Sequence, residues 1–227
     1  MRLPLIFLPG MMCDARLFAP QMAALSDHVP VCADLSAEDN VQAMAARVLD
    51  DAPERFALAG LSMGGIVAME VLRQAPDRVA RLALMDTNPL AETPEVKAGR
   101  AAQIARAGAG ELADMMRDTF IPRYLVAPNA AIERICAEMA DTLGPDAFAR
   151  QSRALRDRPD QCDTLRGYTG PTLILTGAED RLCPRDRHEL MHRLMPHAAY
   201  TVIEGAGHLP TLERPEPTTE ALRQWLT

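Results

Sequence analysis

The stretch that most restricts the fold is Phe56-Ala57-Leu58-Ala59 running into Gly60-Leu61-Ser62-Met63-Gly64-Gly65 and then Ile66-Val67-Ala68-Met69-Glu70-Val71-Leu72. The first apolar run reads as a strand buried on both faces, and the last as a helix. Between them the chain has only a few residues in which to turn. The spacing is that of G-x-S-x-G, a sharp strand-to-helix turn that lifts a serine hydroxyl clear of the backbone for nucleophilic attack. A serine so placed sits in a strained backbone region, and small neighbours are needed where a Cβ would clash. Gly60 and Gly64 supply them on either side, and Gly65 lets the helix pack closely.

Similar apolar runs recur, and helical patterns separate them, as in an α/β parallel sheet. Strands are expected near Leu3–Leu8, Val29–Ala33, Phe56–Leu61, Leu82–Met85, Thr172–Thr176 and Tyr200–Ile203. A helix over Val41–Asp51 would place Val41, Met44, Ala45, Val48 and Leu49 on one face, with Asn40 as its N-cap. The alternation stops between Asn88 and Gly170. Helical segments there, near Lys97–Ala107, Glu111–Phe120, Ala130–Leu143 and Asp146–Arg156, are separated by Gly or Pro. The reading is a core of residues 1–87 and 168–227 with a helical lid, 88–167, over the C-terminal edge of the sheet. Helices that merely extend the core are the alternative.

A chain of 227 residues is large enough for one such core. Its net charge of −7 argues against a nucleic-acid partner. No apolar run approaches the ~20 residues needed to span a bilayer, so no membrane partner is expected. The N-terminus does not read as a signal peptide. Five scattered cysteines, Cys13, Cys32, Cys136, Cys162 and Cys183, suit reduced thiols in a cytoplasm.

A serine hydroxyl needs a general base, and the base needs a third group to orient it. His208 lies on the Gly-rich stretch Gly205-Ala206-Gly207-His208-Leu209 after the last strand, and Asp180 lies in Gly177-Ala178-Glu179-Asp180 after the one before. The order Ser62, Asp180, His208 is that of a serine nucleophile elbow with its partners. Glu179 and Asp86 compete for the acid role: Glu179 is adjacent, and Asp86 ends the fourth strand. Two backbone amides should hold the oxyanion of an acyl transfer. Met63 follows the nucleophile at the start of its helix, and Met11 lies in the loop Leu8-Pro9-Gly10-Met11-Met12-Cys13-Asp14.

Together these motifs make the chain resemble, over essentially its full length, an α/β-hydrolase of the lid-bearing serine carboxylesterase type. The resemblance implies a mostly parallel sheet of about six strands rather than eight, flanked by helices. It implies a Ser62–Asp180–His208 triad with the Met11 and Met63 amides as oxyanion hole. Pro9 stands where family members commonly carry His, which leaves a backbone donor in place. A serine nucleophile sets the chain apart from the aspartate-dependent dehalogenases and epoxide hydrolases of the same fold. The expected reaction is hydrolysis of a small or medium carboxylic ester, lactone or thioester, with no metal and no cofactor, by a monomer or homodimer. Carbon–carbon bond hydrolysis or acyl transfer with the same triad is the alternative, followed by a non-catalytic ligand-binding role.

Other features compete for attention. His188-Glu189-Leu190-Met191-His192 matches H-E-x-x-H, a zinc motif. With Leu190, Met191, Leu194 and Met195 inward, both histidines would face solvent, away from the active edge. Arg150, Arg153, Arg156 and Arg158 read as a solvated face, with attraction of an anionic substrate or acidic carrier as the alternative. Met11, Met12 and Met63 are expected to line an apolar pocket, unless Met12 merely fills the core.

Overall fold

The computed structural model describes residues 3–227. The chain opens with β1 (Leu5–Leu8), α1 (Ala19–Ala24), β2 (Val31–Cys32), α2 (Val41–Asp51), β3 (Phe56–Leu61), α3 (Met63–Gln74) and β4 (Val79–Met85). An insert without strands follows: α4 (Pro94–Arg106), α5 (Leu112–Met115), α6 (Ile121–Tyr124), α7 (Ala130–Arg156) and α8 (Cys162–Gly167). The chain then returns through β5 (Thr172–Gly177), α9 (Arg185–Leu194), β6 (Ala199–Ile203), α10 (Pro210–Glu213) and α11 (Pro215–Leu226).

Among the described residues the sheet has six strands in the order β2-β1-β3-β4-β5-β6, and every neighbouring pair is parallel. Side chains alternate between two core layers with the strand period of two. Leu5 and Phe7 enter one layer, Ile6 and Leu8 the other. Every residue of β3 and of β5 is buried, which is why both read as unbroken apolar runs. β2 shrinks to two residues at the edge, because Val29 turns into the left-handed region at φ 47° and stays 73% exposed. β4 starts three residues before the expected Leu82, since Ala80 and Arg81 are half-buried and hide the pattern.

α2 is capped as expected, with Asn40 Oδ1 accepting from the Ala43 N–H at 2.8 Å. In the insert, Gly144 at φ 73° followed by Pro145 breaks α7 into two arms. The first arm packs in one layer, and the second reaches both. Cys136, Met139 and Phe148 join the Phe7 layer, whereas Ala154 and Leu155 join the Leu58 layer. α7 therefore crosses over the edge of the sheet.

The register sets the geometry of that edge. Leu8 pairs with Gly60, Leu61 with Met85, Met85 with Leu175, and Gly177 with Ile203. The loops after β1, β3, β4, β5 and β6 consequently open on one side. The order reverses direction between β1 and β3, so the crevice favoured for ligands in open α/β sheets lies beside Ser62.

Candidate active site

Ser62 leaves β3 at φ 55° and ψ −117°, a conformation that costs on the order of 1–3 kcal/mol in a residue with a Cβ. The surroundings outweigh that cost. Its N–H donates to the Met85 carbonyl at 2.9 Å, and its carbonyl accepts from the Gly65 amide at 3.0 Å and the Thr87 hydroxyl at 2.7 Å. α3 is buried without a gap from Met63 to Leu72. Each large apolar side chain hidden there is worth about 1.5–3 kcal/mol, so the elbow is held by far more than it strains. The close approach behind it requires glycine: a Cβ on Gly64 would overlap the Leu8 carbonyl.

Three side chains converge on the hydroxyl side of this turn. The Ser62 hydroxyl lies 2.9 Å from His208 Nε2, and His208 Nδ1 lies 2.9 Å from Asp180 Oδ2. An ionised carboxylate only accepts, so the proton of the neutral imidazole sits on Nδ1 and leaves Nε2 free to accept from serine. Asp180 Oδ1 accepts from the Leu182 amide at 2.8 Å and the Cys183 amide at 3.1 Å. Burial works to raise the Asp180 carboxyl, but the His208 imidazole and those amides prevail and hold it below the usual carboxylate range. The loops carrying Asp180 and His208 touch backbone to backbone, since a Cβ on Gly177 would overlap the Gly207 carbonyl.

The first loop lies against the elbow. A Cβ on Gly10 would sit 3.5 Å from that of Ser62. The Met12 amide is taken by Gln151 Oε1 at 2.9 Å. Met12 and Met63 bury their side chains in the two core layers, and Met11 remains half-buried with its sulfur 3.8 Å from an Arg100 nitrogen.

Several contributors carry no signal in the sequence reading. The His208 N–H donates to the Tyr124 carbonyl at 2.7 Å, and the Tyr124 ring lies 5.9 Å from the imidazole. Glu213 accepts from the Gly207 and Val126 amides at 2.8 and 2.9 Å, tying the histidine loop to the insert. Its one hint was a position five residues after His208, within a Pro-led turn.

Of the competing acids, Glu179 is exposed, and its amide donates to Ala206. Asp86 is fully buried next to the relay and accepts from the Gly177 amide at 2.8 Å.

The H-E-x-x-H helix corrects the solvent-facing expectation. His188 is fully buried, and its Nε2 accepts from the Thr87 amide at 3.1 Å. Thr87 in turn holds the Ser62 carbonyl, so this helix supports the elbow. The error is one of helical phase. His188, Met191 and Met195 form the buried stripe, while Leu190 and Leu194 are half-exposed. Burial lowers the His188 imidazole to about 4, so it stays neutral. His192 stacks on Tyr200 at 5.5 Å.

The arginine run is only partly a solvated face. Arg156 pairs with exposed Asp157, but Arg158 is largely buried against Glu92, which Arg100 also binds at 2.6 Å.

The model of the alpha/beta hydrolase family matches residues 5–221. The chain is 28% identical over 202 residues to a pimeloyl-[acyl-carrier protein] methyl ester esterase of Photobacterium profundum, covering 85% of this chain and 78% of that protein. It is 27% identical over 184 residues to an sn-1-specific diacylglycerol lipase of Mus musculus, covering 74% of this chain and 58% of that protein. A thermophilic esterase from Thermogutta terrifontis superposes with TM-score 0.86 at 30% identity, covering 99% of this chain and 89% of that one. Among the described residues no helix is long and apolar enough to cross a membrane. With its parallel sheet, its serine elbow and a family match over nearly its whole length, the chain belongs to the alpha/beta hydrolase family.

Proposed function

We propose that this chain, an ester hydrolase, cleaves small or medium carboxylic esters, lactones and thioesters included, through an acyl-enzyme on Ser62. The observation that carries the reading is the relay of two 2.9 Å contacts, Ser62 Oγ to His208 Nε2 and His208 Nδ1 to Asp180 Oδ2, at a serine of positive φ. His208 takes the serine proton as Oγ attacks the carbonyl, then delivers it to the leaving alcohol. It next draws a proton from water as the acyl-enzyme is cleaved, while Asp180 fixes the tautomer. The Met63 amide heads α3, where helix N–H groups lack partners within the helix, and the Met11 amide follows Gly10, which lies against Ser62; these two would hold the oxyanion. With the Met12 amide committed to Gln151, Met11 is the donor that this loop has to offer.

Methyl-ester and lipid-ester chemistry in the named relatives supports an ester substrate. The helical insert serves as the lid over the site, with Tyr124 beside the imidazole. The cysteines are free, which supports a reducing, cytoplasmic location.

The test is turnover of a p-nitrophenyl short-chain ester, with a serine-directed phosphonate as a second probe. Wild type turns over the ester and gains the phosphonate mass on the peptide that contains Ser62, and Ser62→Ala does neither while keeping its circular dichroism spectrum. Turnover by folded Ser62→Ala, or an adduct on another residue, would overturn the assignment.

A further inference from the structure

Asp86 is the buried acid that the serine–histidine relay leaves unused. It follows β4 at φ 45°, a left-handed conformation that the surrounding fold has to hold. Its Oδ1 accepts from the Gly177 amide, at the root of the loop that carries Asp180. Its Oδ2 is sealed from solvent and has no donor among the described residues, while Gly177, whose carbonyl accepts from the Asp180 amide at 3.3 Å, links the two acids and brings the Asp180 carboxyl near enough to act on Asp86.

Two carboxyls in contact inside a protein do not both stay ionised, because like charges repel strongly where water is excluded. Their neighbours decide which one keeps the charge. Asp180 has the imidazole and two amides, whereas Asp86 has a single amide. Glu213 adds negative charge on the Asp86 side. His188 is neutral, and burial followed by the two nearby aspartates raises the Cys183 thiol well above its ordinary range. Arg158 and Arg187 oppose that rise at Cys183, whereas the charges that act on Asp86 are those of Asp180 and Glu213.

We infer that Asp86 is a positioning residue whose neutral carboxyl donates its Oδ2 hydrogen to the Asp180 carboxylate, bracing that acid against the imidazole. The inference rests on the Ser62–His208–Asp180 reading above. Burial, and then the charge of Asp180, push the Asp86 carboxyl well above the ordinary carboxylate range, as such a donor requires. The arrangement gives the buried Oδ2 a partner. It also orients Asp180 without adding a second negative charge, which would stabilise the imidazolium and slow proton return to the leaving group.

The test compares kcat, KM and the pH profile of kcat/KM for wild type, Asp86→Asn and Asp86→Ala, together with infrared spectra of wild type and Asp86→Asn. Asparagine offers a donor in place of the hydroxyl and an acceptor for Gly177. It should keep kcat within about threefold, with the acid limb of the profile in its wild-type place. Alanine should lower kcat about tenfold or more with little change in KM. Wild type should show the carbonyl stretch of a neutral carboxyl that shifts on 13C-aspartate labelling and is lost in Asp86→Asn.

An acid limb moved about one unit toward lower pH in Asp86→Asn would mean that a negative charge had been removed, and would overturn the inference. Absence of the neutral-carboxyl band, or Asp86→Ala turning over as fast as Asp86→Asn, would do the same. Should alanine fail to fold, the asparagine profile and the infrared band decide. The band reads the Asp86 proton in Ser62→Ala as well as in wild type. Failure of the relay reading is therefore seen in turnover, and failure of this one in the spectrum.

Discussion

At the sheet edge, a Cβ added to Gly60, Gly64, Gly65 or Gly177 would overlap a neighbouring atom, whereas one added to Gly99, Gly108, Gly110, Gly144 or Gly167 in the insert would meet nothing within 4 Å. The same residue type therefore answers two different needs. At the edge, loops are pressed together backbone on backbone around the 2.9 Å contacts of Ser62, His208 and Asp180. Such placement is what lets oriented groups react as if at very high local concentration. In the insert, Gly110 and Gly144 take positive φ where helices break, and the helices are held by side chains such as Met139, Phe148 and Leu155. Precision belongs to the edge, and tolerance to the insert.

That contrast sets a graded series of outcomes. Asp180→Asn should lower kcat by about 10⁴, because the amide favours the wrong imidazole tautomer, whereas an equally conservative change at exposed Glu179 should leave the rate unaltered. Steady-state kinetics of the two variants checks this, and equal losses would break the contrast within a single loop. Gly64→Ala forces a side chain into the Leu8 carbonyl and should cost about 3 kcal/mol or more of stability. Urea denaturation measures it, and a stable Gly64→Ala protein would mean that β1 and α3 can separate.

The third outcome concerns pH. The unfolded chain protonates His188 near 6.5 and the folded protein only near 4. The unfolded state thus binds more protons in that window, and stability falls as the pH drops through it, by up to about 3 kcal/mol. His188→Gln keeps an acceptor for the Thr87 amide and should flatten the fall in Tm between pH 7 and 4. An unchanged slope would move the acid sensitivity elsewhere. The smallest effect belongs to the insert. Gly99→Ala, in the exposed interior of α4, should raise stability by roughly 0.5–1 kcal/mol and leave kcat alone. A loss of activity there would show that the insert is as exacting as the edge.

What could be read from sequence follows the same line. Ser62, Asp180 and His208 were legible as candidates because Ser62 directly follows a strand and the other two lie three and five residues beyond one, so that local spacing carries the information. Parallel register then brings successive strand ends to one edge, and no long-range knowledge is needed. The two helices flanking Gly144 were legible for the same reason. Tyr124 was not, because it acts through a backbone carbonyl that any residue possesses. His188 was misplaced because Leu190 and Leu194 offered an apolar stripe as good as the true one. The choice between the two faces is made by packing on the sheet, where Met191 and Met195 are fully buried. Arg158 misled in the same way: its charge suggested solvent, and its partner Glu92 lies 66 residues earlier.

The bond from His208 to the Tyr124 carbonyl also bears on how such a chain acquires a new substrate. Tyr124 lies beside the imidazole, and Val126, through Glu213, braces the loop that presents it. Under the proposed function, the segment that aligns the base would also face the substrate. Substitutions at Tyr124 and Val126 should therefore appear in kcat and KM together.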